Sequence, residues 1–228
     1  MSINVVEKID DLIKIKHVLI SVSDKKGLDK LIPELIGINP ETRFISTGGT
    51  YSRIKEILGS GASSCLTQVS DYTGQQETQG GLVKTLDFKI YLGLLTETYN
   101  SSHQEDMSRT GAVNIDMVVV NLYPFKQTIE KQGVVVEEAR GNIDIGGPCM
   151  IRAAAKNYLR VASVVDPEDY SNIISFIKKN EGSLSLEQRF YLAQKAFKHT
   201  AVYDSTIAEY LGSQSFDNVR QCYSFPSL

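Results

Sequence analysis

The sequence predicts an α/β domain in which a mostly parallel central sheet is flanked by helices and followed by a C-terminal helical extension. Short apolar, β-branched runs such as Ile115 to Val120 are typical of strands buried on both faces of a parallel sheet. These runs alternate with helical patterns, which indicates right-handed βαβ units. We expect a single domain over residues 1–228, with its core at about 17–180 and the extension and tail at about 181–228.

Composition and charge exclude several classes of protein. Of the 228 residues, 42% are hydrophobic and 22% charged, as in globular proteins in general. A net charge of −3 argues against a strong non-specific nucleic-acid binder. No apolar run approaches the roughly 20 residues that a membrane span needs, and the N-terminus lacks the apolar core of a signal peptide. We therefore expect a cytoplasmic protein without membrane or nucleic-acid partners.

The residues most often found in metal sites are few and far apart. The three cysteines and three histidines are Cys65, Cys149, Cys222, His17, His103 and His199. Their spacing contains no CxxC pair, so it predicts reduced thiols and argues against a disulfide framework or a metal site. The scattered histidines also argue against a His-centred catalytic triad.

The first third of the chain reads as two strand–helix units. Residues 1–16 have apolar positions at helical spacing and predict an amphipathic extension. His17 to Val22 is the first predicted strand, with a helix at Leu28 to Ile36. Arg43 to Ser46 is the second, with a helix at Tyr51 to Leu58.

Both of these strands run directly into a turn that suits an anion. The turn residues are Ser23, Asp24 and Lys25 after the first strand, and Thr47, Gly48, Gly49 and Thr50 after the second. Exposed N–H groups and the dipole at a helix start favour negative charge, and paired glycines let the backbone come close to it. An ordinary helix cap and a tight βα turn remain alternatives.

The next segment contains a long polar stretch and a lysine between apolar neighbours. Cys65 to Val69 predicts a short strand, and residues 70–81 predict a long loop, which in compact domains is usually functional or disordered. Lys84 follows; partial desolvation there would suit acid–base work, although an exposed lysine on a strand edge is the alternative. Ile90 to Leu95 predicts a strand or helix start, and Ser101 to Arg109 a surface helix.

The stretch from 115 to 157 organises the chain. The strand at Ile115 to Val120 ends in Asn121 and Tyr123, and polar groups past a strand's carboxyl end are where open α/β sheets bind ligands. Asp144 then precedes a Gly-Gly turn and a helix that Pro148 is suited to start, continuing over residues 150–157. Lys156 lies two turns into this helix. A plain strand–loop–helix with a capping aspartate is the alternative.

The last third predicts one more strand and two helices. Val161 to Val165 is the final parallel strand, and a helix starts at Tyr170 after Asp166 and Pro167. Residues 186–211 predict a long helix, and residues 213–228 a polar tail.

Taken together, these stretches resemble the inosine monophosphate cyclohydrolase domains, which have the methylglyoxal-synthase-like α/β fold. The segments that carry the resemblance cover about residues 17–211 and are LISVSDKKG (19–27), STGGT (46–50), LVKTL (82–86), VVVNLYPF (118–125), NIDIGGP with RAAAKN (142–157), VVDPEDY (164–170) and KAFKHTAVYD (195–204). NIDIGGP followed by RAAAKN is the most specific of them.

The resemblance implies closure of the purine ring of 5-formamidoimidazole-4-carboxamide ribotide, which gives inosine monophosphate and water. It implies Lys156, Lys84, Tyr123 and Asp144 as catalytic residues, with Lys156 as the main proton-transfer group. It implies substrate binding by Ser23, Asp24, Lys25, Thr47, Gly48, Gly49, Thr50, Thr85, Asn121 and Ile145. No metal or redox cofactor is implied.

The resemblance also implies partners. We expect a homodimer, and we expect the chain to lack the formyltransferase domain usual in the family, so that a separate formyltransferase supplies the substrate.

The chain departs from the family pattern around one catalytic lysine. The family usually has RVKTLHP where residues 82–88 read LVKTLDF, so Leu82 replaces an arginine. In an extended segment Leu82 and Lys84 would face the same side, and we expect weaker substrate binding than in a typical member. This departure favours the alternative of a non-catalytic nucleotide- or phosphosugar-binding module. A methylglyoxal-synthase-like lyase is a third hypothesis, which the absence of a suitably placed histidine weakens.

Overall fold

The computed structural model describes residues 5–76, 78 and 84–226. Its centre is a five-stranded sheet in which every neighbouring pair is parallel, in the order β4-β3-β2-β5-β6. These strands are β2 (His17–Val22), β3 (Arg43–Ser46), β4 (Leu66–Gln68), β5 (Met117–Asn121) and β6 (Ala162–Val164). A separate antiparallel pair joins β1 (Ile13–Lys14) to β7 (Ser183–Leu184). The predicted parallel α/β architecture is confirmed.

Helices connect the strands and cover both faces of the sheet. They are α1 (Leu28–Ile38), α2 (Gly48–Leu58), α3 (Ala62–Cys65), α4 (Val69–Thr73), α5 (Phe88–Leu95), α6 (Ser101–Thr110), α7 (Phe125–Ile129), α8 (Val136–Gly141), α9 (Gly146–Lys156), α10 (Tyr170–Lys179), α11 (Leu186–Ser213) and α12 (Phe216–Arg220). Short 3-10 turns precede α3 and α10. None of the helices in the described parts of the chain has the length and hydropathy that a membrane crossing requires.

Alternate residues of the strands feed two separate hydrophobic clusters. In β5, Met117 and Val119 join the cluster under α1 and α10, whereas Val118 and Val120 join the cluster under α5 and α9. Successive side chains of a strand point to opposite faces, so a sheet covered on both sides needs an uninterrupted apolar run. This is why the continuous apolar run at residues 115–120 predicts a strand that is buried on both faces.

The strand order reverses next to β2. The chain leads from β2 outwards to β3 and β4, and then returns to add β5 and β6 on the other side of β2. Helices on either side of such a reversal diverge, which opens a crevice at the carboxyl ends of the two central strands. In the register, Val22 at the end of β2 pairs with Asn121 at the end of β5.

The long helix α11 belongs to the body of the fold. Its Ala193 and Ala196 are buried in the cluster under α5 and α9. Its Arg189 has no exposed surface and donates hydrogen bonds to five backbone carbonyls, those of Asp10, Asp11, Tyr158, Leu159 and Leu184. The helix thereby fixes the N-terminal segment and the chain before β6.

Two local predictions differ from the structure, and the structure decides between the alternatives of a third. The described part of the N-terminal extension, residues 5–16, contains the short strand β1 and no helix, because its backbone pairs with β7. The strand predicted at Cys65 to Val69 is limited to β4, with helical turns on either side. For Ile90 to Leu95 the sequence left a strand and a helix start open, and the segment lies in helix α5. Asp87 caps this helix by accepting a hydrogen bond from the N–H of Lys89 at 2.8 Å.

Candidate functional site

A cavity of about 380 Å³ lies at the reversal point of the strand order. Five segments contribute to its wall: the end of β2 with the turn after it, the end of β5 with the turn after it, the start of α2, the 84–86 segment, and the segment that leads into α9. The lining residues are Ser21, Val22, Ser23, Lys25, Thr47, Gly48, Gly49, Thr50, Lys84, Thr85, Leu86, Asn121, Tyr123, Gly141, Ile143, Asp144, Ile145, Gly146, Gly147 and Met150.

The start of α2 forms the cationic end of the cavity. Gly48 has a φ of 43°, in the left-handed region that favours glycine. A Cβ at Gly48 would lie 3.5 Å from Lys84 Nζ, and one at Gly49 would lie 3.9 Å from Lys25 Nζ. Within the described residues the N–H groups of Gly48 and Gly49 donate to no protein atom. Two amide donors, a helix N-terminus and two ammonium groups therefore converge on one point, which is an arrangement that binds phosphate.

The hydroxyl groups near this point hold the turns together. Thr50 Oγ1 donates to the carbonyl of Val22 at 3.0 Å and accepts from the N–H of the same residue at 3.1 Å. Ser21 Oγ and Thr47 Oγ1 are hydrogen-bonded to each other at 2.9 Å. These bonds join the end of β2 to the start of α2. In the Ser21–Thr47 pair only one hydroxyl donates to the other, so the second keeps a proton that it can donate to a ligand beside the glycine amides and the lysines.

Asn121 fixes the turn after β2. Its Oδ1 accepts from the N–H of Asp24 at 2.9 Å, and its Nδ2 donates to the carbonyl of Asp24 at 2.8 Å. The carboxylate of Asp24 accepts from the N–H of Lys26 at 2.9 Å and so closes a local turn. The amide that sequence analysis assigned to substrate binding thus positions the backbone that carries Ser23 and Lys25.

The opposite wall is built around the start of α9. Asp144 Oδ1 accepts from the N–H of Gly147 at 2.8 Å, which is the capping bond that the sequence suggested. A Cβ at Gly147 would lie 2.7 Å from the other oxygen of Asp144, and a Cβ at Gly146 would overlap with Thr85 Oγ1. The two glycines are therefore required for the aspartate and Thr85 to pack this closely.

The electrostatic environment of Asp144 differs from that of an ordinary surface carboxylate. Burial raises the pKa of the Asp144 carboxyl, while hydrogen bonds from the N–H groups of Gly147 and Tyr123 oppose the rise. An aspartate with a raised pKa is a stronger proton acceptor when it is ionised. Tyr123 and Ile145 lie at the mouth of the cavity, where they are 54% and 57% exposed and therefore accessible to a ligand.

Two of the residues predicted from the sequence do not line this cavity. Lys156 is exposed at the last position of α9, ten residues after Gly146 at the other end of that helix. At about 1.5 Å per residue the backbones at the two ends of the helix are roughly 15 Å apart. Asp24 lines a neighbouring cavity together with Lys195 and His199. Lys156 and Asp24 thus lie outside this cavity, and the roles that the resemblance implies for them stay predictions.

The cavity brings together all the other predicted site residues and adds several that sequence analysis missed. Leu82, where the chain departs from the family pattern, lies outside the described residues. Ser21, Gly141, Ile143 and Met150 line the cavity but have side chains without distinctive chemistry. No group of three or more metal-ligating side chains occurs in the described ranges.

Comparison with known families gives two matches along the chain. Residues 30–149 match the family described as MGS-like domain, and residues 154–226 match the family described as AICARFT/IMPCHase bienzyme. The first match includes the cationic turn at α2 and the start of α9.

Comparison with individual proteins gives similar results. The chain is 50% identical over 196 residues to the bifunctional purine biosynthesis protein PurH of Thermoanaerobacter sp. (strain X514), and 48% identical over 201 residues to that of Bacillus subtilis (strain 168). Each alignment covers 86% of this chain and 37% of the relative, so the chain spans little more than a third of these relatives' length. The crystal structure of ForH superposes with a TM-score of 0.74 at 30% identity, covering 86% of this chain and 97% of that one.

Proposed function

The chain belongs to the MGS-like domain family, and from this premise we propose that it is an inosine monophosphate cyclohydrolase of purine biosynthesis. The observation that carries the proposal is the pairing, across one cavity, of a phosphate-binding turn with a half-buried carboxylate. The phosphate-binding part consists of Gly48, Gly49, Lys25 and Lys84, and the carboxylate is that of Asp144. The similarity to bifunctional purine biosynthesis proteins along 86% of the chain supports the choice of substrate.

The proposed substrate is 5-formamidoimidazole-4-carboxamide ribotide. Its 5′-phosphate would accept hydrogen bonds from the N–H groups of Gly48 and Gly49, with Lys25 balancing its charge. This anchoring orients the base towards the start of α9, so that the reacting groups are held together before the chemical step.

Ring closure requires one proton to leave the carboxamide nitrogen and the formyl oxygen to leave as water. In the proposed mechanism Asp144 accepts the proton as the nitrogen attacks the formyl carbon. The ammonium of Lys84 and the hydroxyl of Tyr123 donate hydrogen bonds to the oxygen on which negative charge develops. The attack forms the N–C bond and opens the double bond of the formyl group. When the remaining C–O bond breaks, the formamido nitrogen loses its proton and forms a C=N double bond to the same carbon. The oxygen departs as water with two protons, one from the attacking nitrogen and one from the formamido nitrogen.

The proposal extends to the setting in which the protein works. We infer that the chain acts as a homodimer in the cytoplasm, on substrate from a formyltransferase. The printed names of the relatives and of the matched family, which describe a bifunctional protein and a bienzyme, support a coupling to formyl transfer.

One assay tests the function. Purified protein is incubated with the formylated ribotide, and inosine monophosphate is followed by its ultraviolet absorbance, with dihydroxyacetone phosphate as the control substrate. We expect ring closure and no consumption of the control. Tight binding of inosine monophosphate without turnover would identify a non-catalytic module, and conversion of the control would identify a lyase.

A further inference from the structure

Tyr203, in the third quarter of α11, contacts the segment that carries Asp144. Its hydroxyl oxygen accepts a hydrogen bond from the backbone N–H of Asp144 at 2.8 Å. Asp144 lies 59 positions earlier in the chain and in no helix or strand. A residue between two helices has few other backbone hydrogen bonds. This bond therefore fixes the backbone of Asp144 and, with it, the orientation of its side chain.

The same side chain also packs against the segment that carries Tyr123. The rings of Tyr203 and Phe125 meet edge-on, with centroids 6.2 Å apart and an interplanar angle of 68°. Phe125 is 1% exposed and follows Tyr123 by two residues, and its N–H donates to the carbonyl of Tyr123 at 2.8 Å. Tyr203 therefore joins two cavity walls that are separate in sequence.

The protonation state of Tyr203 suits an acceptor role. Burial raises the pKa of the Tyr203 phenol, the N–H of Asp144 opposes this rise, and the negative charges of Asp144 and Asp204 raise the pKa further. The phenol therefore stays neutral at physiological pH. A neutral hydroxyl offers a lone pair to the Asp144 N–H without bringing a second negative charge to the cavity.

We propose that Tyr203 is a positioning residue that holds Asp144 in the orientation needed for ring closure. This inference rests on the proposed function, since it assigns a task within that reaction. Replacing Tyr203 by Phe keeps the ring and its contact with Phe125 but leaves the N–H of Asp144 without its acceptor. A misplaced catalytic group slows the chemical step more than it weakens ground-state binding.

Tyr210 provides a matched control on the same helix. Its ring also meets Phe125 edge-on, at 5.8 Å and 85°. Among the described residues its hydroxyl makes no hydrogen bond to the 142–147 segment. Tyr210→Phe therefore makes the same chemical change beside the same phenylalanine, without touching Asp144.

The test compares Tyr203→Phe and Tyr210→Phe with the wild type in steady-state kinetics, binding and stability. For Tyr203→Phe we expect kcat to fall by about 10- to 100-fold, the scale of a misplaced catalytic group. Affinity for inosine monophosphate, measured by calorimetry, should change by less than about twofold. Tyr210→Phe should leave kcat, affinity and melting temperature close to the wild-type values.

Two kinetic outcomes overturn the proposal. In the first, Tyr203→Phe retains the kcat of Tyr210→Phe. In the second, kcat, product affinity and melting temperature fall together, which indicates a general structural role.

A second readout does not depend on turnover. Amide hydrogen exchange followed by NMR should show the Asp144 N–H protected in the wild type and in Tyr210→Phe, and exchanging faster in Tyr203→Phe. If the wild type turns over no ribotide, the proposed function fails, and exchange alone decides whether Tyr203 holds the segment. An unprotected Asp144 amide in the wild type refutes the inference even if a variant does not fold.

Discussion

At the scale of single residues, the two lysines singled out from the sequence end up in different places. Lys84 lines the cavity beside Gly48, whereas Lys156 is exposed at the far end of α9. Their local sequences do not distinguish them, because each lies among apolar or small residues. Position relative to the substrate decides which of them can act on it.

Substituting each lysine separately should reveal this difference. Lys84→Ala should lower turnover of the formylated ribotide by roughly 100-fold or more, in line with the loss of a group that stabilises developing charge. Lys156→Ala makes the same chemical change at an exposed helix end, and its turnover should stay within about threefold of the wild-type value. Steady-state kinetics on both variants checks this, and a large loss in Lys156→Ala alone would reverse the assignment.

Asp144 illustrates a conflict between stability and chemistry at one residue. Because its pKa is raised in the folded protein, the neutral form is favoured by folding and the ionised form is penalised. The associated stability is fully present below the ordinary pKa of 3.8 and is lost as the pH rises through the raised folded value. At neutral pH, then, the negative charge that the proposed mechanism requires on Asp144 lowers the stability of the fold.

Asp144→Asn should separate the two effects. The amide keeps an oxygen for the N–H of Gly147 but cannot accept a proton, so turnover should fall about 100-fold or more. The variant should melt at a higher temperature than the wild type at pH 7, and the difference should vanish below about pH 4, where both side chains are neutral. Thermal melts between pH 3 and pH 8 measure this; a lower melting temperature at pH 7 would contradict it.

At the scale of elements, the starts of helices α2 and α9 form the cavity wall, and the buried Arg189 holds together the elements behind it. Arg189 lies wholly inside the protein, and burial lowers its pKa to about 10. It remains charged at neutral pH, and the five backbone carbonyls that it contacts compensate the charge. These carbonyls have no obvious replacement donor if the guanidinium is removed.

Arg189→Met should therefore destabilise the protein strongly. The side-chain volume is approximately kept, but the loss of a buried charged network costs about 3–5 kcal/mol of unfolding free energy. Arg53→Met is the control, since Arg53 pairs with Glu56 at 3.0 Å on the surface and should contribute less than about 1 kcal/mol. Urea unfolding of both variants gives the comparison, and equal midpoints would refute the structural role of Arg189.

At the scale of the whole molecule, α11 is part of the core although the sequence placed it in an extension. Ala193 and Ala196 of this helix pack into the cluster beneath α5 and α9, and Tyr203 contacts the segment before α9. By contrast, α12 and the following residues are mostly exposed.

Two truncations test this division. A chain ending at Ser185 exposes the apolar surfaces beside β6 and α9, so it should show no cooperative thermal transition and should aggregate. A chain ending at Gln214 keeps the whole of α11 and should melt within a few degrees of the full protein, about 4 °C or less for the loss of some 1 kcal/mol. Calorimetry decides, and a cooperative transition in the shorter chain would show that α11 is dispensable.

The sequence predicted best where one local rule governs the outcome. Arg43 to Ser46 and His17 to Val22 match β3 and β2 residue for residue, because apolar runs between turn residues have few alternatives to a buried strand. Prediction failed where tertiary contacts outweigh local propensity. The N-terminal segment has helical spacing, yet residues 13 and 14 pair with β7, some 170 positions away.

What the sequence determined by itself is the alternation of strands and helices, the two anion-suited turns and the aspartate before the glycine turn, since all of these depend on neighbouring residues. Only the tertiary structure decided which of them share a cavity. The reversal of strand order beside β2 puts Gly48, Lys84 and Asp144 in one space. The length of α9 leaves Lys156 outside it, and the packing of α11 brings Tyr203 to Asp144 from 59 positions away. The two ends of a helix are separated by its length, and side chains distant in sequence meet only through packing. No local sequence pattern therefore predicts the position of Lys156 relative to the cavity or the contact between Tyr203 and Asp144.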